Sequence, residues 1–502
     1  MGLFLQVFTV LVITVSLQGW VPLGCLEEER IALLQLKDSL NYPNGTSLPS
    51  WMKADANCCS WELIECNSST GRVTELGLGG VWNPELGDWY LNASLFLPFQ
   101  QLNVLSLSNN RIAGWVEKKA GFLNPKNLEY LDLSSNTLDN NILQSIETMT
   151  SLKTLILGSC KLDGQIPTAQ GLCDLNHLQE LDMSDNDLSG VLPSCLTNLT
   201  SLQQLYLSSN HFKIPMSLSP LYNLSKIKSF YSSGNEIFAE EDDHNLSPKF
   251  QLESLYLRGR GQDAGALPKF FYHQFSLQFL DLANIQIKGE FSNWLIENNT
   301  YLQRLYLENC SLSGPFLLPK NSHVNLSFLR ISMNHFQGQI PLKIGDRLPG
   351  LEVLKMSDNG FNGSIPYSLF ELDLSNNLLT GRILSNNRNN FSGRLPPRFN
   401  TSSNLRYILA LDLSHNNLTG TIQEWIDRLS NLRFLLLSYN NLEGEIPIQL
   451  SRLDQLTLID LSHNHLSGNI LSWMISTHHF PQSYNSHDSM SSSQQSFEFT
   501  RR

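Results

Sequence analysis

The sequence predicts an α/β solenoid, in which each turn of the chain adds one short strand to a parallel sheet. Three observations support this prediction. A pattern of spaced leucines returns along most of the 502 residues, and an asparagine follows most copies at a constant offset. Four cysteines crowd near the N-terminus, which predicts a disulfide-stapled cap at the start of the sheet. A solenoid grows in one dimension, so this length does not require several globular domains.

The clearest copy of the pattern spans residues 178–193 and reads LQELDMSDNDLSGVLP. The pattern returns about every 24 or 25 residues, within the range of roughly 20–29 residues that is typical of leucine-rich repeats. A strand places alternate residues on one face, and only the stacking of neighbouring repeats buries the leucines on that face. We therefore expect a right-handed leucine-rich-repeat superhelix with a parallel concave sheet.

An asparagine column accompanies the leucines. A side-chain amide donates and accepts hydrogen bonds, so stacked asparagines can satisfy the backbone where each strand turns away. Cys160 and Cys310 occupy two positions of the column, where a buried thiol is a weak donor. Arg260 and Ile285 occupy two others, and there we expect the ladder to break or bulge. The asparagines of the column are Asn110, Asn136, Asn186, Asn210, Asn235, Asn334, Asn359, Asn377, Asn416, Asn440 and Asn464.

Residues 1–24 are interpreted as a secretory signal peptide. Residues 3–17 are apolar and uncharged but too short for a comfortable membrane span, and small residues follow at Gly19 and Gly24. No second apolar stretch of spanning length follows, so we expect no transmembrane segment after signal removal. The net charge of −12, without a basic run, argues against a nucleic-acid partner.

Residues 25–75 are expected to form the N-terminal cap. Within them, residues 26–40 predict a helix, because glutamates occupy its first turn and Leu33, Leu36 and Leu40 fall on one face. An open end of a solenoid would expose leucines to water, so a capping unit of this kind is required.

The cap cysteines indicate an oxidising compartment. Their spacing leaves the connectivity open, and we favour the disulfides Cys25–Cys58 and Cys59–Cys66 over reactive or metal-binding thiols. The first pair closes the larger loop, and on a chain-entropy basis it stabilises the cap by roughly 3–4 kcal/mol.

Glycosylation sequons of the form Asn-x-Ser/Thr support the same compartment. A single sequon is weak evidence, but so many of them behind a signal segment favour the secretory pathway. Not all of them need to be occupied. The acceptor asparagines are Asn44, Asn67, Asn92, Asn198, Asn223, Asn245, Asn298, Asn309, Asn325, Asn362, Asn390, Asn400 and Asn417.

The cap resembles that of plant extracellular leucine-rich-repeat proteins in three features: the run Cys-Leu-Glu-Glu-Glu-Arg-Ile-Ala-Leu-Leu from Cys25, then Trp51, then Cys-Cys-x-Trp ending at Trp61. The Gly-x-Ile-Pro repeat endings, as at residues 164–167 and 444–447, are similar to those of the same group. Within it, the chain most resembles plant receptor-like proteins, which are cell-surface receptors without a kinase. This resemblance implies a plasma-membrane receptor that binds an extracellular peptide, protein or glycan. It also implies signal transduction through partner receptor kinases, in plant defence or development.

Two features depart from the pattern of that family. Its members continue with a non-repeat island, further repeats, an acidic stretch, a membrane helix and a short cytoplasmic tail. Here the polar residues 476–502 resemble only the start of the island and are expected to be disordered. The leucine-rich repeats, about 14–15 in number, are placed at 102–475 after a transition at 76–101. They are irregular at 257–285 and 370–405, where splicing, gene-model error or real deletion would shorten them.

The residues between the paired leucines are expected to lie on the exposed concave face. In the middle repeats these residues are aromatic or basic, and Tyr and Arg are the residue types that contribute most to binding energy at interfaces. We hypothesise a ligand or partner surface there. The alternative is that tyrosine is simply a good strand residue with cross-strand neighbours. The residues of the hypothesis are Tyr206, Tyr231, Tyr256, Phe279, Arg304, Tyr306, Phe328, Arg330 and Lys355. Asn309 lies at the edge of this surface, and a glycan on it would shield part of the face.

Cys173 and Cys195 fall in successive repeats, just before the strands. A disulfide between them and two buried free thiols are both open. Among the histidines, the pair His463 and His465 flanks a ladder asparagine, at a spacing that matches no metal-ligand set.

The sequence carries no nucleophile elbow, phosphate-binding glycine loop or kinase motif. We therefore expect a binding protein without catalytic residues, cofactor or metal. One rival interpretation is a secreted inhibitor of a cell-wall hydrolase, because polygalacturonase-inhibiting proteins resemble this chain in cap and repeat type. Those proteins are shorter and lack an island. Another rival is a non-functional fragment of a truncated gene.

Overall fold

The computed structural model forms two compact units. Unit 1 comprises Met1–Ile214 and Leu218–Asn235, and unit 2 comprises Pro215–Ser217 and Glu236–Arg502. Each unit is a leucine-rich-repeat solenoid built on parallel strands, as the sequence predicts. The residues described by the structure are 25–41, 46–115, 127–146, 149–167, 171–240, 248–259, 264–365, 371–382, 409–468 and 498–500.

The cap in unit 1 contains the predicted helix, which spans Glu27–Leu40. It buries Leu33, Leu36 and Leu40 on one face. Its first turn is acidic, but Glu29 is fully buried rather than exposed at the helix start. The apolar face of the helix thus shields the first leucines of the sheet from water.

Two disulfides close this cap. The structure joins Cys25 to Cys58, with Cα atoms 5.5 Å apart, and Cys59 to Cys66, with Cα atoms 5.6 Å apart. These are the pairs that we favoured from the sequence. The short strand Ile64–Cys66 then pairs antiparallel with Val73–Gly77, which begins the parallel sheet.

The main sheet of unit 1 is parallel after this first hairpin. Neighbouring strands pair without a register shift, so that Leu131, Leu155, Leu181 and Leu205 lie opposite one another, and all four are buried. Its strands are Ile64–Cys66, Val73–Gly77, Val104–Ser106, Tyr130–Asp132, Thr154–Ile156, Glu180–Asp182, Gln204–Tyr206 and Ser229–Tyr231.

The main sheet of unit 2 repeats this geometry. Leu280, Leu305, Leu329 and Leu354 lie opposite one another and are buried. Its parallel strands are Ser254–Tyr256, Phe279–Asp281, Arg304–Tyr306, Phe328–Arg330, Val353–Lys355, Glu371–Asp373, Ala410–Asp412, Phe434–Leu436 and Leu458–Asp460.

The polar tail, expected to be disordered, contributes one strand to this sheet. Glu498–Thr500 pairs antiparallel with Leu458–Asp460. An edge strand presents unpaired backbone groups, which any extended segment can satisfy, so polarity of the tail does not prevent the pairing. The other residues of the tail, including most of 469–502, lie outside the described residues, as does the signal at 1–24.

Short helices and outer strands complete each repeat. The other α-helices are Ile142–Ser145, Trp294–Asn298 and Ile344–Arg347. The 3-10 helices are Cys58–Ser60, Pro84–Leu86, Ala93–Phe96, Leu172–Asp174, Ser194–Asn198, Ser219–Leu221, Lys269–His273, Glu424–Arg428 and Ile448–Arg452. The outer and lateral strands are Trp89–Leu91, Ile112–Trp115, Asp163–Gly164, Asp187–Val191, His211–Pro215, Glu236–Phe238, Ser313–Pro315, His335–Gln339, Gly360–Gly363, Leu378–Arg382, Asn417–Gly420, Asn441–Glu445 and His465–Ser467.

A third disulfide lies outside the cap. Cys173 and Cys195 are joined across successive repeats, with Cα atoms 5.6 Å apart. Of the two arrangements that the sequence left open, the structure therefore has the disulfide and not two free thiols.

The asparagine column forms a hydrogen-bonded ladder. Asn186 illustrates it: its Oδ1 accepts from the backbone N of Cys160 at 2.9 Å and of Leu162 at 3.0 Å, while its Nδ2 donates to the carbonyls of Leu157 and Met183. Every asparagine predicted for the column donates in the same way to the repeat before it. The ladder satisfies buried backbone groups that have no partner within their own repeat.

The two cysteines of the column reproduce only the donor half of this pattern. Cys160 Sγ donates to the carbonyl of Leu133 at 3.0 Å, and Cys310 Sγ donates to that of Leu282 at 3.1 Å. Burial raises the pKa of each thiol to about 12, so both stay protonated donors at physiological pH. A thiol offers no amide oxygen, so the backbone N–H groups of the preceding repeat lack that acceptor.

The ladder is interrupted where the sequence predicts. Ile285 is buried at the asparagine position, where its side chain can neither donate nor accept. Ile287 N donates to the backbone carbonyl of Cys310 at 2.8 Å, because the thiol of Cys310 supplies no oxygen. On the outer side, strands end at Phe238 and resume at Ser313, and the described residues between them form only isolated bridges there. Arg260, the other predicted break, lies outside the described residues.

The shortened repeat after residue 353 still joins the sheet. Val353–Lys355 pairs with Glu371–Asp373 without a register shift, and the latter pairs with Ala410–Asp412. Asn377 Oδ1 accepts from Phe361 N at 3.1 Å, so the ladder also continues. The shortening of this repeat therefore lies in the segment that connects one strand to the next, and not in the strand. Residues 383–408, which include most of the second irregular repeat, lie outside the described residues.

Candidate ligand-binding surface

The nine residues hypothesised to form the ligand surface all lie on strands of the main sheets, beside the buried leucines. Tyr206 and Tyr231 belong to unit 1, and the other seven belong to unit 2. In unit 2 the strand register sorts their positions into two rows. The first row is Ser254, Phe279, Arg304, Phe328 and Val353, and the second row is Tyr256, Asp281, Tyr306, Arg330 and Lys355.

Arg304 in the first row lies between two phenyl rings. Its guanidinium carbon is 5.4 Å from the centre of the Phe279 ring and 4.9 Å from that of the Phe328 ring. A cation over the face of a ring gains about 0.5–1 kcal/mol at an exposed site, and more when water is excluded. The guanidinium is thus held between side chains of the two neighbouring strands.

Arg330 in the second row is stacked in the same way. Its guanidinium carbon lies 4.8 Å from the centre of the Tyr306 ring, on the neighbouring strand. The Nε atom of Arg330 is buried and has no hydrogen-bond partner among the described residues. Leaving a buried donor unpaired costs about 1–3 kcal/mol, more for a charged group, so this N–H is an unused binding group.

The acidic member of the second row is neutralised by another arginine. Arg258 Nε lies 3.1 Å from Asp281 Oδ2, and Arg258 Nη2 lies 3.7 Å from Glu308 Oε2. Arg304 and Arg330, in contrast, form no ion pair with any described residue. The positive charge at the centre of the surface is therefore uncompensated by the residues that the structure describes.

The tyrosines of unit 1 form a different surface. Tyr206 and Tyr231 lie opposite each other in the register, with ring centres 4.6 Å apart and planes 10° from parallel. The Tyr206 hydroxyl donates to Gln204 Oε1 at 2.6 Å. Burial, helped by Tyr231 and by the charges of Glu180 and Asp182, raises the pKa of Tyr206 to about 12. This surface is uncharged at the tyrosines and acidic beside them.

A second exposed column was missed in the sequence. Along the ladder, the residue before the ladder position adopts a left-handed backbone and is exposed. The signal was its constant offset from the asparagine, because left-handed backbone favours Asn, Asp and Gly there. The column contains Asn109, Ser135, Ser159, Asp185, Ser209, Gly234, Asn284, Asn309, Met333, Asp358, Asn376, His415, Tyr439 and His463.

Two parts of this left-handed column carry large side chains. Met333, three residues after Arg330, has 56% of its surface exposed. Further along unit 2, the ring of Tyr439 stacks on His415 at 4.1 Å and on His463 at 4.0 Å between ring centres. The histidine interpreted as a simple neighbour of the ladder is thus part of an aromatic stack.

The sequons differ in surroundings. Asn309 is exposed in the left-handed column, and its Nδ2 donates to Asn284 Oδ1 at 3.1 Å. It lies three residues after Tyr306, so it borders the second row, as we expected. Also described are Asn67, Asn92, Asn198, Asn223, Asn298, Asn325, Asn362 and Asn417. Asn44, Asn245, Asn390 and Asn400 lie outside the described residues.

Family models match most of the folded chain. A leucine-rich repeat region matches residues 97–371, a leucine-rich repeat N-terminal domain matches residues 26–67, and a further leucine-rich repeat match covers residues 401–466. The chain belongs to the leucine-rich-repeat family. Within that family, its curated relatives include plant receptor-like proteins.

Two of these relatives are from Arabidopsis thaliana. Receptor-like protein 9b is 35% identical over 452 residues, which cover 74% of this chain and 47% of the relative. Receptor-like protein 15 is 31% identical over 524 residues, which cover 82% of this chain and 53% of the relative. This leucine-rich-repeat chain therefore spans about half the length of the curated relatives that it matches.

Among solved structures, the chain is similar to the leucine-rich-repeat ectodomain of the plant membrane receptor kinase GASSHO1/SCHENGEN3 from Arabidopsis thaliana. The TM-score is 0.58 at 25% identity, over 87% of this chain and 59% of that one. That ectodomain was solved in complex with CASPARIAN STRIP INTEGRITY FACTOR 2.

In the described part of this leucine-rich-repeat protein, no helix combines the length and the apolar character that crossing a bilayer requires.

Proposed function

We propose that this chain is the ligand-recognition region of a plant cell-surface receptor, and that an extracellular ligand binds across its concave strands. The observation that carries the proposal is the pair of rows in unit 2. There, aromatic rings and arginines that have no ion pair with a described residue stand beside central leucines that are buried. Residues that combine large contact area with few rotatable bonds are those that anchor ligands.

The similarities support this proposal. The curated relatives are receptor-like proteins, and the GASSHO1/SCHENGEN3 ectodomain, on the same fold, was solved with a bound factor. A rigid sheet with outward side chains is suited to binding, because its geometry is set by packing before the ligand arrives. In a receptor without a kinase, ligand binding is signalled to the cell through a partner receptor kinase, in defence or development.

The test uses two tyrosines of the surface and one elsewhere. The full chain, secreted from plant cells and immobilised, is incubated with fractionated plant extracellular fluid, and the retained peptides and glycans are identified by mass spectrometry. The variant carries Tyr256→Ala and Tyr306→Ala, both in the second row of unit 2. The control is Tyr301→Ala, which removes a tyrosine that is 63% exposed outside the concave strands.

A ligand of the concave face is retained by the wild type and by the control, and is lost from the double variant with an unchanged unfolding temperature. Equal retention by all three proteins would contradict binding at these strands. Retention of an active cell-wall hydrolase, with inhibition of its activity, would instead favour the inhibitor interpretation.

A further inference from the structure

Two arginines in unit 2 lie against aromatic rings and not against carboxylates. Arg30, Arg72, Arg111, Arg258 and Arg452 each lie within 4 Å of a carboxylate. Arg304 and Arg330 are instead stacked on aromatic rings and have no ion pair with a described residue. In a chain of net charge −12, two adjacent strands thus present positive groups that nothing described in the protein neutralises.

The stacking determines how these groups can bind. Arg304 lies over a ring on each neighbouring strand and Arg330 over one ring, so a partner approaches these guanidinium groups from the solvent side of the sheet. An approach in the guanidinium plane gives the two parallel N–H···O bonds that match a carboxylate. Stacking also removes rotamer freedom before binding, so less entropy is lost when the bonds form.

The buried Nε of Arg330 is a second, independent observation. It has no acceptor among the described residues, although its burial excludes water as a ready substitute. Arg330 as a whole is only half-buried, so a ligand oxygen that binds its outer N–H groups supplies this acceptor through a small shift of the side chain. The strand register places Arg304 diagonally beside it, one strand away and two residues back, so one ligand can reach both groups.

The first row indicates which ligand group would lie next to a carboxylate bound at the two arginines. The rings of Phe279 and Phe328 face along the row, towards Arg304 between them, so their edges are left for a ligand. Ring edges, together with buried Val353 beside Phe328, suit an apolar side chain. A chain of sugar acids also carries carboxylates, but it has no apolar side chain to place against these rings.

We infer that Arg304 and Arg330 form a carboxylate-binding subsite for an extended acidic peptide, with an apolar side chain of that peptide lying against Phe279 and Phe328. This inference rests on the proposed function and specifies its ligand class. Lys355 flanks Arg330 and adds positive charge, but it lies opposite Asp373 in the register and is not required.

The inference is tested with defined probes. Rhodamine-labelled peptides of sequence (Glu-Phe)₄ and (Gln-Phe)₄ differ only in charge, and oligogalacturonate supplies carboxylates without apolar side chains. Binding to the full glycosylated chain is followed by fluorescence anisotropy at physiological salt, with oligogalacturonate as a competitor. The variants are Arg304→Gln, Arg330→Gln and Arg330→Lys. The control is Lys343→Gln, which removes one charge of the same unit outside the concave strands.

The (Glu-Phe)₄ peptide is expected to bind at least tenfold more tightly than (Gln-Phe)₄. Each glutamine variant should bind the (Glu-Phe)₄ peptide at least tenfold more weakly than the wild type. Arg330→Lys should lose nearly as much affinity, because an ammonium group cannot form two parallel hydrogen bonds to one carboxylate. Lys343→Gln should lose less than twofold in affinity. Equal binding of both peptides up to 1 mM, or equal losses for the control and the arginine variants, would overturn the inference. Arginine-dependent binding of oligogalacturonate alone would overturn the peptide class.

These outcomes are separable from failure of the proposed function. A ligand captured from extracellular fluid that depends on the tyrosines but not on the two arginines would leave recognition intact and remove the carboxylate subsite. Unchanged unfolding temperatures for Arg304→Gln and Arg330→Gln verify that a loss of binding is not a loss of folding.

Discussion

The buried carboxylate of Glu29 accepts a hydrogen bond from the backbone N of Val73 at 3.0 Å, which ties the cap helix to the first long strand. Arg72 Nη1 lies 3.5 Å from the other carboxylate oxygen. Burial raises the pKa of Glu29, while the Val73 bond and the Arg72 charge act in the opposite direction. The cap is thus joined to the solenoid by an acid whose protonated form the folded state favours.

The pH dependence follows from this direction. Because the folded pKa of Glu29 lies above its unfolded value of about 4.3, the stabilising contribution is complete at lower pH and is lost as the pH rises through the folded pKa. Glu29→Gln keeps the acceptor for Val73 and removes the charge. At pH 7 this variant should be as stable as the wild type or more stable, and the difference should vanish near pH 4.

Hydrogen exchange at the Val73 amide, in a pH series, measures this effect locally. The matched variant Glu29→Ala leaves the buried N–H without its acceptor and should lose about 1–3 kcal/mol of protection. If Glu29→Gln loses as much as Glu29→Ala at pH 7, then the ion pair with Arg72 dominates and the expected sign is wrong.

A second prediction concerns the imperfect steps of the ladder. Asn186 gives Leu162 N an oxygen acceptor at 3.0 Å, whereas Cys160 can give none to Leu138 in the equivalent position. Cys160→Asn should therefore raise the free energy of unfolding by about 1 kcal/mol, the net value of one hydrogen bond. Asn186→Cys should lower it by at least as much.

Cys310→Asn is the control for this change. Ile287 N already donates to the backbone carbonyl of Cys310 at 2.8 Å, so a new amide oxygen replaces an existing acceptor there. We expect a smaller gain than at Cys160, measured by thermal unfolding of the two variants. A larger gain at Cys310 would mean that side-chain volume, rather than the missing acceptor, limits these positions.

A third prediction concerns the disulfide between Cys173 and Cys195, which are 22 residues apart. Replacing both with alanine opens that loop and should lower the free energy of unfolding by about 3 kcal/mol on a chain-entropy basis. The effect should be confined to unit 1, because each repeat contacts mainly its neighbours. Hydrogen exchange at Leu181, on the strand between the cysteines, should increase, while exchange at Leu354 in unit 2 should not. Equal increases at both amides would contradict a local role.

The strand residues were predictable, because the leucine spacing alone determines which side chains point inward. Arg304 and Phe328 were therefore placed on the exposed face from the sequence. Their stacking was not, since it depends on side-chain conformations that the leucine spacing does not determine. The register itself follows the leucines, and even the short step from Val353 to Glu371 keeps it.

The burial of single polar groups could not be predicted from the leucine pattern either. In the sequence, Glu29 is a first-turn glutamate that the helix dipole favours. Only the fold brings Val73 against it. The left-handed column had a readable signal in Asn284 and Asn309, but Met333 and Tyr439 conceal it, because large side chains rarely adopt that backbone.

The last prediction concerns Met333, whose φ of 57° is unfavourable for its side chain. Asparagine occupies the equivalent place at Asn284 and Asn309 and adopts this conformation more readily. Met333→Asn should therefore raise the free energy of unfolding by up to about 1 kcal/mol. Met333→Ala retains the strain and should give no gain. Exchange of the Met333 amide, which donates to Ser357 O at 2.9 Å, reports the change locally.

A measurement of peptide affinity tests whether the strained methionine serves ligand binding at this position. Its side chain is exposed three residues after Arg330, and a flexible thioether adapts to varied apolar groups. We expect Met333→Asn to bind the (Glu-Phe)₄ peptide several-fold more weakly while it unfolds at a higher temperature, because strain at a binding surface persists only where the side chain contributes to binding. If stability rises and affinity is unchanged, the ligand surface ends at the two rows and does not include the left-handed column.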